Sequence, residues 1–385
     1  MLHLPDLVPD APRFRLSGEA HDEIRSACAQ NPDLASCRTI GHSEEGRPIL
    51  GVTMGHGPRR VTLVAGAHAD EPVGPETLRA LIVEGLARRD WGAEDGGLEP
   101  LLERFTFEIV PHANPDAEAA NRVWTERWDD EDDLGALRLF LRHRLREQPG
   151  RDVEFGYPVM RPENAAVSRF LFDYRPLALH LSLHGMAFSE GALLLVERYW
   201  AGANGERFET LQAGFREAAR AAGLRLHDHD RQGDKGFRYY GPGFQSTPEG
   251  AAMRAHFEAA GDPETAGLFF LSSMETARIT GYDREANAGA GAVPLSLVTE
   301  LPLFLLDAPH DGPPGVPATY DRLREDLPDL MAAAQGDGDL AALAAPFQIR
   351  RLGVREAMRF QLRVIELGLD AAQRAPLADV GIGNG

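Results

Sequence analysis

Apolar, β-rich segments alternate with segments of helical spacing along about 300 residues of this chain. Strands are predicted at 59–66, 104–111, 176–184, 191–197 and 293–304, and most of the stretches between them carry apolar residues at helical spacing. This alternation favours a three-layer α/β/α sandwich around a mixed, mostly parallel twisted sheet. Such sheets bind ligands at the carboxyl ends of their strands, so polar side chains there are the candidates for chemistry.

A segment rich in proline and glycine divides the chain near its C-terminal end. Residues 306–317 contain four prolines and two glycines, which is typical of a linker. We therefore expect residues 1–310 to form the domain that carries the strand ends. Residues 311–385 are expected to form a C-terminal helical extension, with helical segments near 318–345 and 349–370.

Composition and charge exclude several classes of partner. The net charge of −19 disfavours nucleic acid and anionic membrane surfaces, because phosphate binding needs clustered Lys and Arg. No stretch approaches the roughly 18 uninterrupted apolar residues of a membrane span. Cys28 and Cys37 are too few for a disulfide framework and are expected to be free thiols. The first residues lack the pattern of a signal peptide, so we expect a cytoplasmic protein.

Three side chains at predicted strand ends have the chemistry of a catalytic zinc site. His68 and Glu71 directly follow strand 59–66, and His184 closes strand 176–184. Catalytic Zn²⁺ takes three His or carboxylate ligands and keeps one position for water. His180 competes with His184 as the third ligand, since both lie on the same face of one strand.

Glu300 is a single acid inside the apolar stretch "LSLVTELPLF". A carboxylate buried without a partner is costly, so this residue needs either an ion pair or a functional site. Near a metal, it could deprotonate a bound water whose pKa the ion lowers to about 7. Glu300 is therefore the candidate general base.

Six segments, in order, resemble the zinc carboxypeptidase (metallocarboxypeptidase) family, with a bacterial cytosolic member as the expectation. A His-x-x-Glu pair alone is a weak signal, but the ordered set is specific and covers roughly residues 38–305. The matching segments are "SEEGRPILGV" (43–52), "GAHADEPVG" (66–74), "NPDAEAANR" (114–122), "PENAAV" (162–167), "LSLHG" (181–185) and "LVTELP" (297–302).

The resemblance implies a role for each matching residue. His68, Glu71 and His184 would bind one Zn²⁺ per chain. Glu300 would serve as general base for the water and then as general acid for the leaving amine. Arg122 would polarise the scissile carbonyl and stabilise the oxyanion. The implied fold is the zinc carboxypeptidase-like sandwich for residues 1–310.

The resemblance also gives substrate-binding candidates and one departure. Asn114 and Asp116 lie in the Asn-Pro-Asp segment, and Tyr282 is the candidate for the tyrosine that caps the substrate. The family carries an Asp-x-Asn-Arg-Asn stretch, whose Asn-Arg pair binds the terminal carboxylate of the substrate. No Asn-Arg pair follows Arg122 in this chain, so the resemblance does not supply the group that binds this carboxylate.

Three functions are compatible with these residues. The first is a zinc-dependent metallocarboxypeptidase that hydrolyses a C-terminal peptide bond. The second is an amidase or deacylase of N-acyl amino acids, similar to the succinylglutamate desuccinylase and aspartoacylase group, which the missing Asn-Arg pair leaves open. The third is a non-catalytic peptide-binding module on the same scaffold. The expected partner is a peptide or acyl-amino-acid substrate, and the sequence leaves the oligomeric state open.

Overall fold

The computed structural model describes residues 3–89, 98–284, 293–309 and 312–373. Within these ranges, eleven strands form one mixed sheet, whose main path runs β1-β2-β4-β3-β5-β10-β6-β9-β8, with β11 beside β10 and β7 beside β6. The strands are β1 (Ala35–His42), β2 (Pro48–Met54), β3 (Arg59–Ala65), β4 (Phe105–Val110), β5 (Leu179–Ser189), β6 (Gly191–Val196), β7 (Arg225–Leu226), β8 (Tyr239–Gly241), β9 (Phe244–Ser246), β10 (Leu295–Leu306) and β11 (Ile349–Arg351).

Parallel pairing is concentrated at the centre of the sheet. Strand β3 runs parallel to both β4 and β5, and β10 runs parallel to β5. The pairs β1–β2, β2–β4 and β6–β10 are antiparallel. Strands β3, β5 and β10 are buried along most of their length, which explains their nearly continuous apolar sequences. The predicted mixed sheet is confirmed.

Helices cover both faces of the sheet. On one face, α2 contacts α1 and α15, and α15 also contacts α9, while α7 and α12 contact strands from the other face. The helices are α1 (Ser17–Gln30), α2 (Val73–Ala87), α3 (Glu99–Leu102), α4 (Pro115–Ala120), α5 (Arg122–Thr125), α6 (Asp133–His143), α7 (Pro162–Leu171), α8 (Arg198–Ala203), α9 (Gly205–Ala221), α10 (Gly250–Ala259), α11 (Pro263–Ala266), α12 (Ser273–Thr280), α13 (Ala318–Ala332), α14 (Leu340–Ala344) and α15 (Val354–Gln373).

The alternation of side chains along each strand divides the apolar residues between two cores. Leu63 packs into the core that also contains residues of α2 and α15, whereas its neighbour Val64 packs with residues of α7. Successive strand residues point to opposite faces, so two helical layers and one sheet follow directly from this pattern. The three-layer α/β/α sandwich predicted from the sequence is confirmed.

The C-terminal helix α15 is part of this sandwich. It contacts α2, α9, β5 and β10, and Gly368 brings its backbone close to Leu179 and Leu297. An added Cβ at Gly368 would lie 3.2 Å from a methyl carbon of each leucine. Helix α15 therefore packs against the sheet, and the predicted helical C-terminal segment is confirmed, whereas the division of the chain at residue 310 stays a prediction. Residues 374–385 lie outside the described part of the chain.

Some predicted helices are interrupted. Apolar residues at helical spacing near 263–277 predict one helix, but this stretch forms two helices, α11 and α12, and α12 begins at a capping box in which Ser272 and Glu275 bond reciprocally. The segment near 318–345 likewise divides into α13 and α14. Within the described ranges, none of the helices has the length and apolar character needed to cross a bilayer.

Candidate metal centre

His68, Glu71 and His184 converge on one point at the carboxyl end of the central strands. One potential ligand atom from each of the three lies within 4.8 Å of the other two. The Nδ1 atom of His68 lies 2.8 Å from Glu71 Oε1, and the Nδ1 atom of His184 lies 3.0 Å from Glu71 Oε2. The structure therefore brings together the three residues that the sequence nominated as metal ligands.

Regular elements on either side position these ligands. Strand β3 ends at Ala65 and α2 begins at Val73, so the intervening loop presents His68 and Glu71. Two contacts hold this loop in place. The side-chain amide of Asn121 donates to the Ala69 carbonyl at 2.9 Å, and Asp70 forms an ion pair of 2.5 Å with Arg144.

The donor set fits a zinc ion. The two Nδ1 atoms of His68 and His184 lie 3.2 Å apart, and two nitrogen ligands of a tetrahedral Zn²⁺ at about 2.0–2.1 Å are separated by about 3.3–3.4 Å. Glu71 Oε2 is buried and has no correctly oriented hydrogen-bond donor among the described residues. Two imidazole nitrogens and an unsatisfied carboxylate oxygen directed at one point form a site for a divalent cation.

Electrostatics within the cluster favour positive charge. Burial by itself lowers the pKa of His68, but the Glu71 carboxylate outweighs burial and raises this pKa to about 9. The pKa of His184 is raised well above its usual value by the same carboxylate, again against burial. Burial raises the pKa of Glu71, and the two histidines reverse this and lower it. The same field would stabilise a bound cation.

Further side chains hold the outward-facing nitrogens of the two histidines. His184 Nε2 lies 2.8 Å from Ser182 Oγ and 3.2 Å from Glu154 Oε2. His68 Nε2 lies 3.8 Å from Asp152 Oδ2, which is within ion-pair distance. Histidines that bind metals usually donate their second ring N–H to a carboxylate or another oxygen, and this contact fixes the ring and the nitrogen that faces the metal.

Glu300 is placed beside the cluster by strand register. It is the direct neighbour of His184 across the parallel pair β10–β5, so both side chains project from the same face of the sheet. Burial raises the pKa of Glu300 to about 7, and the negative charge of Glu71 adds to this rise. The Glu300 carboxylate makes no ion pair with any described residue. Its environment is therefore that of a proton acceptor near neutral pH.

Arg122 does not reach the cluster, which corrects the prediction that it stabilises the oxyanion. Its side chain is 60% exposed and pairs with Glu126, four residues further along the chain. In the short helical segment around it, Asn121 and Trp124 turn inward and bond to each other at 2.7 Å. Arg122 follows Asn121 directly and consequently faces solvent.

The three predicted substrate-binding residues are also placed elsewhere. Asn114 caps α4 and donates to Glu147 Oε2 at 2.8 Å. Asp116 accepts a hydrogen bond of 2.6 Å from Ser43 Oγ, and its contacts hold the turn before β2. Tyr282 is 39% exposed and forms no hydrogen bond or ion pair with the described residues of the cluster. These positions brace loops or face solvent, so the structure does not support a substrate contact for them.

The competing third ligand, His180, lies deeper in the sheet. Its Nδ1 atom is 2.9 Å from Thr62 Oγ1, and its ring packs edge-on against Phe172. Burial lowers the pKa of His180 to about 4, so the ring is neutral in the fold. The cluster contains His184 and not His180.

Sequence reasoning missed the residues that support the ligands. A sequence signal existed for Ser182, because His180, Ser182 and His184 alternate along one strand face. Glu154 and Asp152 offered no comparable signal, since a loop carries them to the cluster. The stretch Asp152–Gly156 contains Glu154 and Phe155 and no Asn-Arg pair.

A family model described as zinc carboxypeptidase matches residues 21–232, which is more than half of the chain. The chain belongs to the zinc carboxypeptidase family. The matched range contains all three residues of the metal cluster. The family comprises zinc metallohydrolases with one Zn²⁺ as cofactor, so the predicted family, enzyme class and cofactor are confirmed at this level. The match does not favour the alternative of an N-acyl amino acid deacylase.

Individual relatives match over shorter regions. Zinc carboxypeptidase A 1 of Anopheles gambiae is 30% identical over 112 residues, which are 28% of this chain and 25% of that protein. Carboxypeptidase A2 of Mus musculus is 33% identical over 112 residues, or 28% and 26% of the two chains. This chain thus spans about a quarter of the length of these curated relatives. Among solved structures, carboxypeptidase A from Helicoverpa armigera has 14% identity and a TM-score of 0.49, with 94% of this chain and 75% of that chain covered.

Proposed function

We propose that this zinc carboxypeptidase family member is a metallocarboxypeptidase that hydrolyses the C-terminal peptide bond of its substrate. The observation that carries the proposal is the convergence of His68, Glu71 and His184 beside Glu300. Three protein ligands leave a fourth position for water, which is the arrangement of catalytic zinc sites and not of structural ones.

In this proposal each residue has a separate task. His68, Glu71 and His184 would hold Zn²⁺, which would supply Lewis acidity when bound. Glu300 would accept a proton from the attacking water and return it to the leaving amine. Its pKa of about 7 suits both transfers near neutral pH, because a catalytic group works best when its pKa lies near the operating pH.

Ser182 and Glu154 contribute indirectly. Both lie next to the Nε2 atom of His184, so they keep its Nδ1 atom directed at the cluster. Ser273 donates to the other oxygen of Glu154 at 2.7 Å and fixes this carboxylate in turn. These contacts support the proposal because they fix the orientation of His184 in advance, so that the site need not reorganise during the reaction.

The test measures zinc content and peptide hydrolysis on the same preparations. Wild type is expected to hold about one zinc per chain and to release single C-terminal residues from peptides. The His184→Ala variant should lose both properties, while the exposed His56→Ala serves as the matched control. The Glu300→Gln variant should keep its zinc and lose at least 10²-fold in kcat. Zinc-free wild type that cannot be loaded, or Glu300→Gln with full activity, would contradict the proposal.

A further inference from the structure

Three buried polar side chains lie behind the metal centre, on the sheet face that α2 and α15 cover, and we call Thr77, Thr299 and Gln361 together the rear network. Gln361 is fully buried in α15, and every other buried residue that the structure describes in this helix is apolar or glycine. Thr77 of α2 and Thr299 of β10 are no more than 1% exposed. Polar groups at this depth cost free energy unless they are hydrogen-bonded, so their partners show what they hold in place.

Hydrogen bonds join the members of the rear network to one another. Thr77 Oγ1 lies 2.8 Å from Gln361 Oε1 and 2.9 Å from the Val73 carbonyl of its own helix, and its one proton serves both oxygens. The side-chain amide of Gln361 donates to Thr299 Oγ1 at 3.3 Å. Within the described part of the chain, none of the polar atoms of these three side chains lacks a partner. The network therefore links α2, α15 and β10 through the apolar core.

The rear network ends on the backbone of a metal-ligand candidate. Gln361 Nε2 donates to the carbonyl oxygen of His184 at 3.3 Å. Thr299 Oγ1 accepts from the N–H of His184 and also lies 3.2 Å from its carbonyl oxygen. Side chains thus bond both backbone polar groups of the residue whose ring enters the metal cluster.

The network also reaches the elements that carry the other functional residues. Thr299 directly precedes Glu300 on β10, so the two side chains point to opposite faces of the sheet. Thr77 lies in the second turn of α2, the helix that begins two residues after Glu71. Gln361 therefore connects the elements of two ligand candidates and of the candidate base from the far side of the sheet.

A fixed backbone at His184 favours metal binding for a physical reason. A ligand that is already held in its binding geometry loses little conformational freedom when the ion binds, whereas a mobile ligand must be ordered at the expense of affinity. Ser182 and Glu154 lie next to the Nε2 atom of His184 and fix the rotation of its ring. The rear network fixes the backbone from which this ring projects.

We propose that Gln361 is a positioning residue of the metal centre. It acts through the carbonyl of His184 and through Thr299, and it fixes the spacing between the ligand His184 and the base Glu300. The C-terminal helix α15 is then a working part of the metal centre. The inference concerns metal binding first, and it rests on the proposed function only for its effect on the rate of hydrolysis.

The Gln361→Leu variant tests the proposal, because it keeps an apolar side chain of similar size and removes the donor. The zinc dissociation constant, measured by chelator competition, should rise by about threefold to tenfold, which is the value of one neutral hydrogen bond. The visible absorption bands of the Co²⁺-loaded protein, which report the ligand geometry at the metal, should shift. At saturating zinc, kcat should fall while KM stays unchanged, since the spacing between the metal and Glu300 changes and substrate binding does not.

A matched control separates positioning from a loss of stability. Gln245 is 1% exposed and donates to the carbonyl of His229, a histidine outside the metal cluster. Gln245→Leu should lower the free energy of unfolding in urea and leave zinc affinity and the Co²⁺ spectrum unchanged. A positioning role predicts a change at the metal in Gln361→Leu alone, whereas a purely structural role predicts the same result for both variants.

Thr77→Val tests the route through the network and keeps the shape of its side chain. Alone, it should weaken zinc binding less than Gln361→Leu does, so the test remains available if Gln361→Leu does not fold. Combined with Gln361→Leu, it should add less than its separate effect, because both changes break the same network.

The outcomes divide the positioning inference from the proposed function. Unchanged zinc affinity and an unchanged Co²⁺ spectrum in Gln361→Leu, equal losses in Gln245→Leu, or strictly additive effects of Thr77→Val would overturn the inference. Weaker zinc binding in Gln361→Leu, together with a wild type that hydrolyses no peptide, would support the inference and remove only the proposed function. A wild type that binds no metal would overturn both.

Discussion

Glu154 is expected to control zinc affinity through His184. Its Oε2 atom lies 3.2 Å from His184 Nε2, and its Oε1 atom accepts from both the N–H and the hydroxyl of Ser273 at 3.2 and 2.7 Å. In Glu154→Gln, the amide NH₂ must face either the imidazole N–H or the Ser273 N–H. Either orientation places two N–H donors face to face in a buried site. The substitution also removes the negative charge that acts on His184.

The magnitude follows from these contacts. Loss of a hydrogen bond to a charged group costs about 1.5–3 kcal/mol, and Ser182 at 2.8 Å retains part of the orientation of the His184 ring. Zinc affinity should therefore fall by about 10- to 100-fold, or about 1.4–2.7 kcal/mol. Competition with a chromogenic zinc chelator measures this change directly, and urea denaturation of the zinc-free protein separates it from a loss of fold stability.

A second carboxylate provides the control. Glu147 is somewhat more exposed, with 17% of its side chain exposed against 10% for Glu154, and it accepts from Arg161 at 2.6 Å and from Asn114 at 2.8 Å. Glu147→Gln should leave the zinc dissociation constant unchanged, even though it removes an equal charge. Wild-type zinc affinity in Glu154→Gln, or an equal loss in Glu147→Gln, would refute the reasoning.

Two further predictions concern stability. In Gly74→Ala, the new Cβ would lie 2.7 Å from the Leu183 carbonyl oxygen, so the free energy of unfolding measured in urea should fall by about 1–3 kcal/mol. Gly18→Ala is the control, because a Cβ at Gly18 has no neighbour within 4 Å, and it should not lose stability in the same titration. Burial lowers the pKa of His21 from 6.5 to about 3. Between these two pH values, His21 is protonated in the unfolded chain and neutral in the folded protein. The free energy of unfolding should therefore fall as pH drops from 6.5 toward 3, by about 2 kcal/mol between pH 8 and pH 5. His21→Leu should reduce this pH dependence. Parallel pH profiles of stability for wild type and His21→Leu would contradict the assignment to His21.

The sequence located the metal ligands because their signals are local. An apolar strand, a short loop and a helix start place His68 and Glu71 within a few residues, and the two-residue period of β5 places His180, Ser182 and His184 on one face. Glu300 was conspicuous because an isolated acid in an apolar strand violates the local pattern. These features required no knowledge of the strand order.

Other parts of the site depend on contacts that local patterns do not encode. Arg122 was predicted to stabilise the oxyanion because the segment around it resembles the family motif. In the fold, Asn121 points inward, and Arg122, one residue further along the helix, faces solvent. Glu154 lies on a loop, whose path is fixed by distant partners such as Ser273. A sequence pattern therefore carried too little information to place them.

The sequence by itself determined the layered α/β architecture, the candidate metal ligands and the candidate base, because hydrophobic periodicity and ligand spacing operate over a few residues. Tertiary structure alone decided that α15 completes the helical layer over β5 and β10, and that Gln361 of this helix donates to the carbonyl of His184 at 3.3 Å. Such contacts join residues far apart in the chain, and only the packing of the whole fold brings them together.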